Sequence, residues 1–261
     1  MGTTAALARV AELVDRSRIS STVHSQLDDL DGSRDCPQGY LDLLGEAPPK
    51  QRTVALAAMR SAVLPLIYER WWRPVVRLVG GAGQAAELRL AAELLNVQSG
   101  QTVLDLACGP GNFTRSFAAA AGPDGLVVGV DESATMLARA VEQTGDEWVG
   151  YVRGDARDLP FAGGTFDAVG CFLALHLVPE PFRAVHEMIR LLAPGGRIAL
   201  SAPYRPAGVL PRVLDRMVNA PLGLRAFGRT ELTDVLTGAG LVDIRQQVRG
   251  LYQFVGAVRP A

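Results

Sequence analysis

The sequence has few cysteines and no long apolar run. Its three cysteines, Cys36, Cys108 and Cys171, lie too far apart along the 261 residues for a disulfide framework or a four-cysteine metal site. We therefore expect a reducing compartment. No run approaches the roughly 18 apolar residues that a membrane-spanning helix requires. Charged residues from Arg9 onward interrupt the region where a signal peptide needs apolar ones, so we predict a cytoplasmic protein.

The chain also lacks an excess of positive charge. Lys50 is its only lysine, and the formal net charge is −1. Proteins that bind nucleic acid usually present a basic surface to the phosphates. The charge balance therefore disfavours a nucleic-acid partner.

Composition changes along the chain and divides it into segments. A hydrophobic content of 48% predicts one main core. Residues 1–50 contain a long polar run and are predicted to be an appendage, and 51–93 to be a helical segment interrupted by prolines. The main domain is predicted over 94–261. Within it, the proline-rich stretch 204–229 is predicted to form a cap.

Short apolar runs alternate with helix-length stretches through the main domain. The runs TVLDLA, LVVGVD, GYVRGD, FDAVGCFLAL and GRIALSAP each have the length of a strand and end at turn residues. This pattern predicts an α/β fold with a doubly wound, mostly parallel sheet. The last two runs, VDIRQQV and YQFVGAV, are close enough in sequence to form an antiparallel hairpin, which brings the predicted sheet to seven strands.

The first run continues into a glycine-containing turn, with Gly109 and Gly111 in the sequence TVLDLACGPGNF. Glycines let the backbone approach a ligand closely, and the helix that follows directs free N–H groups toward it. A nucleotide would suit this turn, but an ionised Asp105 beside it repels pyrophosphate. Thr114 also stands where a dinucleotide fingerprint needs its third glycine.

The ends of the next two runs identify a phosphate-free ligand. Asp131 ends the second run, where a carboxylate accepts both ribose hydroxyls. The third run ends in Gly154, Asp155 and Ala156, where a carboxylate and a neighbouring N–H can pair with adenine. An adenosine that carries positive charge instead of phosphate is S-adenosyl-L-methionine.

The ordered motifs VLDLACGPG, GVDESATML, GDARDLPF, FDAV and LLAPGGRIAL resemble those of class I S-adenosylmethionine-dependent methyltransferases, over roughly Leu94 to Val258. The chain is most similar to small-molecule methyltransferases of the ubiquinone/menaquinone type. Its upstream YLDLL and PLIYERWWR segments resemble a plant chloroplast-type subgroup. The resemblance implies a cofactor-binding set of Asp105, Ala107, Cys108, Gly109 and Gly111 for the methionine end, Asp131 and Glu132 for the ribose, Met136, Gly154, Asp155 and Ala156 for the adenine, and Phe172.

The acceptor side is less defined. His176 ends the strand-like FLALH of the fourth run, where the transferred methyl group emerges, and is either a base or a wall of the pocket. The other predicted pocket residues are the aromatic side chains Tyr68, Trp71, Trp72 and Tyr204. Cys108 is predicted to fill space and not to act as a nucleophile.

Relatives with a similar upstream segment, among them ribosomal-RNA guanine methyltransferases, carry a zinc ribbon with four cysteines. Here only His24 and Cys36 remain in that region. A structural zinc site needs four ligands, so we predict no metal. The function expected is transfer of a methyl group to a small phenol, quinone or polyketide-like acceptor. An RNA methyltransferase, a nicotinamide-dependent oxidoreductase and a non-catalytic cofactor-binding protein are the alternatives, and a homodimer is left open.

Overall fold

A computed structural model describes residues 2–21, 23, 24, 27, 38–44, 83–219 and 224–261. Its strands are β1 (Leu41–Asp42), β2 (Thr102–Leu106), β3 (Leu126–Asp131), β4 (Val149–Arg153), β5 (Phe166–Cys171), β6 (Leu192–Pro203), β7 (Val242–Arg249) and β8 (Tyr252–Val258). Its α-helices are α1 (Gly2–Leu13), α2 (Gln84–Leu95), α3 (Asn112–Ala121), α4 (Ala134–Glu142), α5 (Pro181–Leu191), α6 (Val209–Leu214) and α7 (Glu231–Gly238). Two 3₁₀ turns, Arg16–Arg18 and Leu175–Leu177, and a π turn, Asp215–Asn219, complete the described elements.

These strands form one sheet in the order β1-β4-β3-β2-β5-β6-β8-β7. Pairing is parallel from β1 to β6, whereas β8 is antiparallel to both β6 and β7. The predicted doubly wound fold with a terminal antiparallel hairpin is therefore confirmed. The sheet has eight strands in the described residues instead of seven, because the short β1 pairs with the end of β4. Its two residues are too few to leave a pattern in the sequence.

Helices cover both faces of the sheet, and each face has its own apolar core. Side chains of α1, α5 and α7 pack on one face, and those of α2, α3 and α4 pack on the other. Strands buried on both faces explain the nearly continuous apolar runs of β2 to β5. The segment expected to be an appendage contributes α1 to this core, since Leu7 and Val10 are buried against the sheet.

Local signals fix where the helices begin and end. Ser133 caps α4 by accepting a hydrogen bond from the Met136 N–H. Pro181 begins α5, at the position where its missing N–H costs nothing. Asn96 ends α2 in the left-handed conformation and donates its N–H to the Ala92 carbonyl.

The parallel strands all end at the same edge of the sheet, which places Leu106, Asp131, Arg153, Cys171 and Pro203 along one rim. From β2 the chain winds outward through β3 and β4, and from β5 it winds the other way through β6. A crevice forms at such a reversal in doubly wound folds. In the described parts of the chain no helix combines the length and the apolar character that crossing a membrane requires.

Candidate functional site

Asp105 lies on β2 with its side chain inside the protein, and the residue is only 1% exposed. Its Oδ2 accepts a hydrogen bond of 2.6 Å from the Thr114 hydroxyl on α3. Burial, and to a lesser extent the nearby charge of Asp131, raise the pKa of Asp105 to about 7. The carboxyl group therefore lies beneath the turn, and it is not the fully ionised group at the pocket mouth that the sequence suggested.

This raised pKa predicts a pH-dependent stability. Between its ordinary value of 3.8 and about 7, folded Asp105 keeps a proton that the unfolded chain releases, so raising the pH favours unfolding. The Asp105→Asn variant lacks this titration. Across that window we expect the unfolding free energy of the wild type to fall, relative to the variant, by about 1.4 kcal/mol per pH unit. Urea unfolding at a series of pH values measures the difference, and a constant difference would contradict the assignment.

The turn after β2 uses the left-handed backbone conformation repeatedly. Ala107, Gly109 and Gly111 have φ values of 55°, 55° and 78°. A Cβ at Gly109 would meet no atom within 4 Å, so this side of the turn is open to a ligand. Cys108 is buried, and burial followed by the charges of Asp131 and Asp105 raises the pKa of its thiol well above the usual value. A neutral, buried thiol matches the predicted space-filling role.

Asp131 joins the end of β3 to the glycine turn. Its Oδ2 accepts a hydrogen bond of 2.9 Å from the Gly109 N–H, and its Oδ1 accepts one of 2.8 Å from the Ser133 N–H. The residue is half-buried at the carboxyl end of β3. Glu132 comes next, with its carbonyl accepting from Arg153, and Met136 is buried on α4.

Asp155 follows β4 and is held by a neighbouring arginine. The Arg157 Nε and Nη2 donate to its carboxylate at 2.9 and 2.7 Å, and the Arg157 N–H donates at 2.9 Å. Burial alone would raise the pKa of Asp155, but these hydrogen bonds outweigh it and the pKa lies below its usual range. Gly154 donates its N–H to the Asp131 carbonyl, which ties the two strand ends together, and Ala156 packs partly buried against the core.

Phe172 is buried in an aromatic cluster directly after β5. Its ring stacks on Phe113 with centroids 4.9 Å apart and contacts Phe117 at 5.9 Å. Both of these partners belong to α3, the helix that follows the glycine turn. Phe172 therefore supports the floor of the crevice by packing against that helix.

His176 lies in the 3₁₀ turn Leu175–Leu177. The strand that was predicted to reach it, β5, ends earlier, at Cys171. Leu173, with a φ of 58°, takes the chain out of the sheet. The His176 ring meets the edge of Tyr252 at 6.3 Å, and among the described residues its buried Nδ1 has no hydrogen-bond partner. Burial lowers the pKa of His176 to about 4.

The remaining predicted pocket residues are divided between described and undescribed parts. Tyr204 directly follows β6, pairs with Phe227 in an isolated parallel bridge and donates its N–H to the Leu251 carbonyl. It therefore lies at the same edge as the strand ends. Tyr68, Trp71 and Trp72 lie outside the described residues.

The residues present fit S-adenosylmethionine. The turn leaves backbone space beside Gly109, and the carboxylates of Asp131 and Asp155 lie on adjacent strand ends with acceptor oxygens. Beside these carboxylates lie Arg153, which donates to the Glu132 carbonyl, and Arg157, which donates to Asp155. Such a donor and acceptor set suits a ribose and an adenine without phosphate.

Sequence reasoning missed three contributors to this site. Thr114 bonds the buried Asp105, Arg157 holds Asp155, and Tyr252 borders His176. Only the Arg157 contact could have been predicted from the local sequence, because an aspartate side chain often accepts a hydrogen bond from the backbone N–H two residues later, as Asp155 does here. The other two contacts join residues from different elements.

Comparison with known proteins agrees with this geometry. Residues 104–200 match the family model described as a methyltransferase domain. The chain is similar to an uncharacterised chloroplastic methyltransferase of Arabidopsis thaliana, with 30% identity covering 85% of this chain and 66% of the relative. It is also similar to the ubiquinone/menaquinone biosynthesis C-methyltransferase UbiE of Pseudomonas paraeruginosa, with 37% identity covering 47% of this chain and 49% of that protein. The chain thus spans about half to two thirds of the lengths of these relatives.

A solved structure shows the same fold. Phosphoethanolamine N-methyltransferase 2 of Haemonchus contortus, in complex with phosphomonomethylethanolamine and S-adenosylhomocysteine, superposes with a TM-score of 0.67 at 18% identity. The match covers 82% of this chain and 62% of that one. Residues 104–200 of this chain therefore belong to the methyltransferase domain family.

Proposed function

We propose that this protein binds S-adenosylmethionine at the carboxyl edge of β2, β3 and β4 and methylates a small apolar acceptor of the phenol or quinone kind. The observation that carries the proposal is the contact between Asp131 and the Gly109 N–H, beside a turn with open space. In the proposal the Ala107–Gly111 backbone holds the methionine end, Asp131 and Glu132 hold the ribose, and Asp155 and Ala156 pair with the adenine edge.

The cofactor supplies an already activated methyl group, so the protein needs mainly to orient the acceptor and exclude water. Asp131 fixes the turn and accepts the ribose hydroxyls, and the buried Met136 supplies an apolar contact for the adenine. Asp105 and Thr114 hold the first turn of α3 against β2. No further catalytic group is required where the acceptor is already nucleophilic.

The acceptor is proposed to enter beneath the 204–229 cap. Along α6 and the π turn that follows, Val209, Leu210 and Met217 are 79%, 69% and 70% exposed. Apolar side chains this exposed usually mark a surface that contacts an apolar partner. The names of relatives such as UbiE and the 2-phytyl-1,4-naphtoquinone methyltransferase of Thermosynechococcus vestitus point to quinone-like acceptors.

A panel of acceptors tests the proposed function. We expect transfer of radiolabel from methyl-labelled S-adenosylmethionine to quinols or phenols, and none to ribosomal RNA. Calorimetry with S-adenosylhomocysteine and with NADH, each alone, separates a methyltransferase from an oxidoreductase. Cofactor binding with no transfer to any acceptor in the panel would favour the non-catalytic alternative, and steeply salt-dependent RNA binding would favour an RNA substrate.

His176 is proposed to line the acceptor pocket as a neutral imidazole. Because burial lowers its pKa to about 4, we expect no inflection from it near pH 6.5 in the rate profile. His176→Gln should leave S-adenosylhomocysteine affinity within about twofold and lower kcat by about 10- to 100-fold if the ring bonds the acceptor. Equilibrium binding and steady-state rates from pH 5 to 8 measure both. An unchanged kcat would remove His176 from the catalytic residues.

The cytoplasmic location, the possibility of a homodimer and the absence of bound zinc stay predictions from the sequence. Gel filtration and metal analysis of the purified protein test the last two.

A further inference from the structure

Arg157 lies on the loop after β4 and forms ion pairs with two acidic side chains. Its side chain is only 12% exposed, and its guanidinium pairs with Asp155 at 2.7 Å and with Glu180 at 3.1 Å. The Asp155 side chain is more accessible than that of Arg157, at 34% exposed, and the Glu180 side chain is 52% exposed. The arginine is therefore the inner member of the pair, and the outer part of the carboxylate faces solvent at the sheet edge.

The contacts use the full shape of the guanidinium. Nε and Nη2 both bond the Asp155 carboxylate, the backbone N–H of Arg157 bonds its Oδ1, and Nη1 reaches Glu180 at the start of α5. An aspartate side chain on a loop otherwise rotates about two bonds. A fork with this many donors fixes it in one orientation, and a lysine ammonium has no comparable planar arrangement.

Recognition of adenine depends on that orientation. A carboxylate accepts the amino group of adenine only when a free lone pair points along the edge of the ring. Oδ1 of Asp155 accepts from both the Nε and the backbone N–H of Arg157, whereas Oδ2 accepts only from the guanidinium, so Oδ2 keeps an outer lone pair for a ligand.

We propose that Arg157 is a positioning residue, which holds the Asp155 carboxylate in the orientation that distinguishes adenine from a purine without an amino group. The inference rests on the proposed function, because it needs the cofactor in this crevice. It adds a residue outside the contacts that the motif implies. Asp155 makes the contact with the ligand, and Arg157 acts only through it.

The test compares two ligands in calorimetry: S-adenosylhomocysteine and its analogue with unsubstituted purine in place of adenine. In the wild type we expect S-adenosylhomocysteine to bind at least tenfold more tightly. In Arg157→Gln that preference should fall to within about threefold, mostly through weaker binding of the adenine ligand. A loss of packing alone would weaken both ligands equally and leave their ratio unchanged.

A double-mutant cycle shows whether Arg157 acts through Asp155. Asp155→Asn should lower the preference by itself, and adding Arg157→Gln should then change it by less than about twofold. Arg157→Lys keeps the positive charge but should still lose most of the preference for S-adenosylhomocysteine over the purine analogue. This second variant keeps the test valid if Arg157→Gln does not fold. A wild-type preference in Arg157→Lys would overturn the proposal.

Two other variants serve as controls. Glu180→Gln removes the second partner of Arg157 and should keep the preference. Arg183, 54% exposed and 4.0 Å from Asp158, is an arginine on the neighbouring helix, and Arg183→Gln should keep it as well. If the wild type binds neither ligand, the proposed function fails. If it binds both and Arg157→Gln keeps the ratio, only this inference fails.

Discussion

Gly109→Ala should leave the protein folded and remove most of its affinity for S-adenosylhomocysteine. The added Cβ meets no protein atom within 4 Å, so the fold bears only the strain of an alanine at a φ of +55°, about 1–2 kcal/mol. The methyl group projects into the space proposed for the methionine end. Overpacking of that kind costs about 1–3 kcal/mol, which corresponds to about 5- to 150-fold in affinity.

Gly111→Ala, two residues further on, should instead lower the stability of the folded protein. Its Cβ would lie 2.5 Å from the Tyr151 hydroxyl and 3.0 Å from Arg115 Nη1, at a φ of +78°. Tyr151 is buried and its hydroxyl bonds Thr144, so it has little room to move. We expect a loss of about 2–4 kcal/mol in unfolding free energy from the clash and the strain together.

Urea unfolding and calorimetry on both variants separate folding from binding. The expected pattern is a stable variant at Gly109 that binds poorly, and an unstable one at Gly111. Undiminished affinity in a folded Gly109→Ala variant would show that the cofactor does not approach this turn. Wild-type stability in Gly111→Ala would show that Tyr151 moves aside.

Asp131→Ala should weaken S-adenosylhomocysteine binding by about 1–3 kcal/mol through the loss of charge-assisted hydrogen bonds. Two effects combine, because Asp131 is proposed to hold the ribose and also bonds the N–H groups of Gly109 and Ser133. Asp131→Asn keeps one acceptor oxygen and should lose less. The 2′,3′-dideoxy analogue of the ligand separates the two effects, because in Asp131→Ala its affinity should fall only by the part that comes from the lost turn contacts.

Asp124 provides the matched control for Asp131. It is an exposed aspartate just before the other end of β3, far from the crevice along the strand. Asp124→Ala changes the net charge equally and should leave the affinity unchanged. An equal loss in both variants would point to a general electrostatic effect, and no loss at Asp131 would exclude it as a ribose partner.

The fold and the rim of the site could be predicted because they depend on short-range patterns. The run that contains Leu104 is apolar over the length of a strand and ends at glycines, and Asp131 and Asp155 each stand at the end of such a run. Parallel pairing then brings those ends together. The ordered motifs added the cofactor to what the strand ends indicated.

What could not be predicted depends on contacts across the fold. Asp105 was expected to be ionised, but burial raises its pKa by more than the hydrogen bond from the Thr114 hydroxyl, on another element, lowers it. His176 was placed on a strand because its neighbours are apolar, whereas the left-handed backbone at Leu173 ends the strand earlier. Neither the protonation state of Asp105 nor the early end of β5 leaves a periodic pattern in the sequence.

The packing of α1 on the sheet determines how far this protein can be truncated. A Cβ at Gly150 in the middle of β4 would lie 2.6 Å from a Val10 methyl group, so the helix rests directly on the strand. Arg18 continues the attachment by donating to the Leu159 carbonyl at 2.7 Å. A fragment trimmed to the region that carries the recognised motifs would expose an apolar surface along β3 and β4. We expect this fragment to aggregate, although it retains every residue proposed to bind the cofactor.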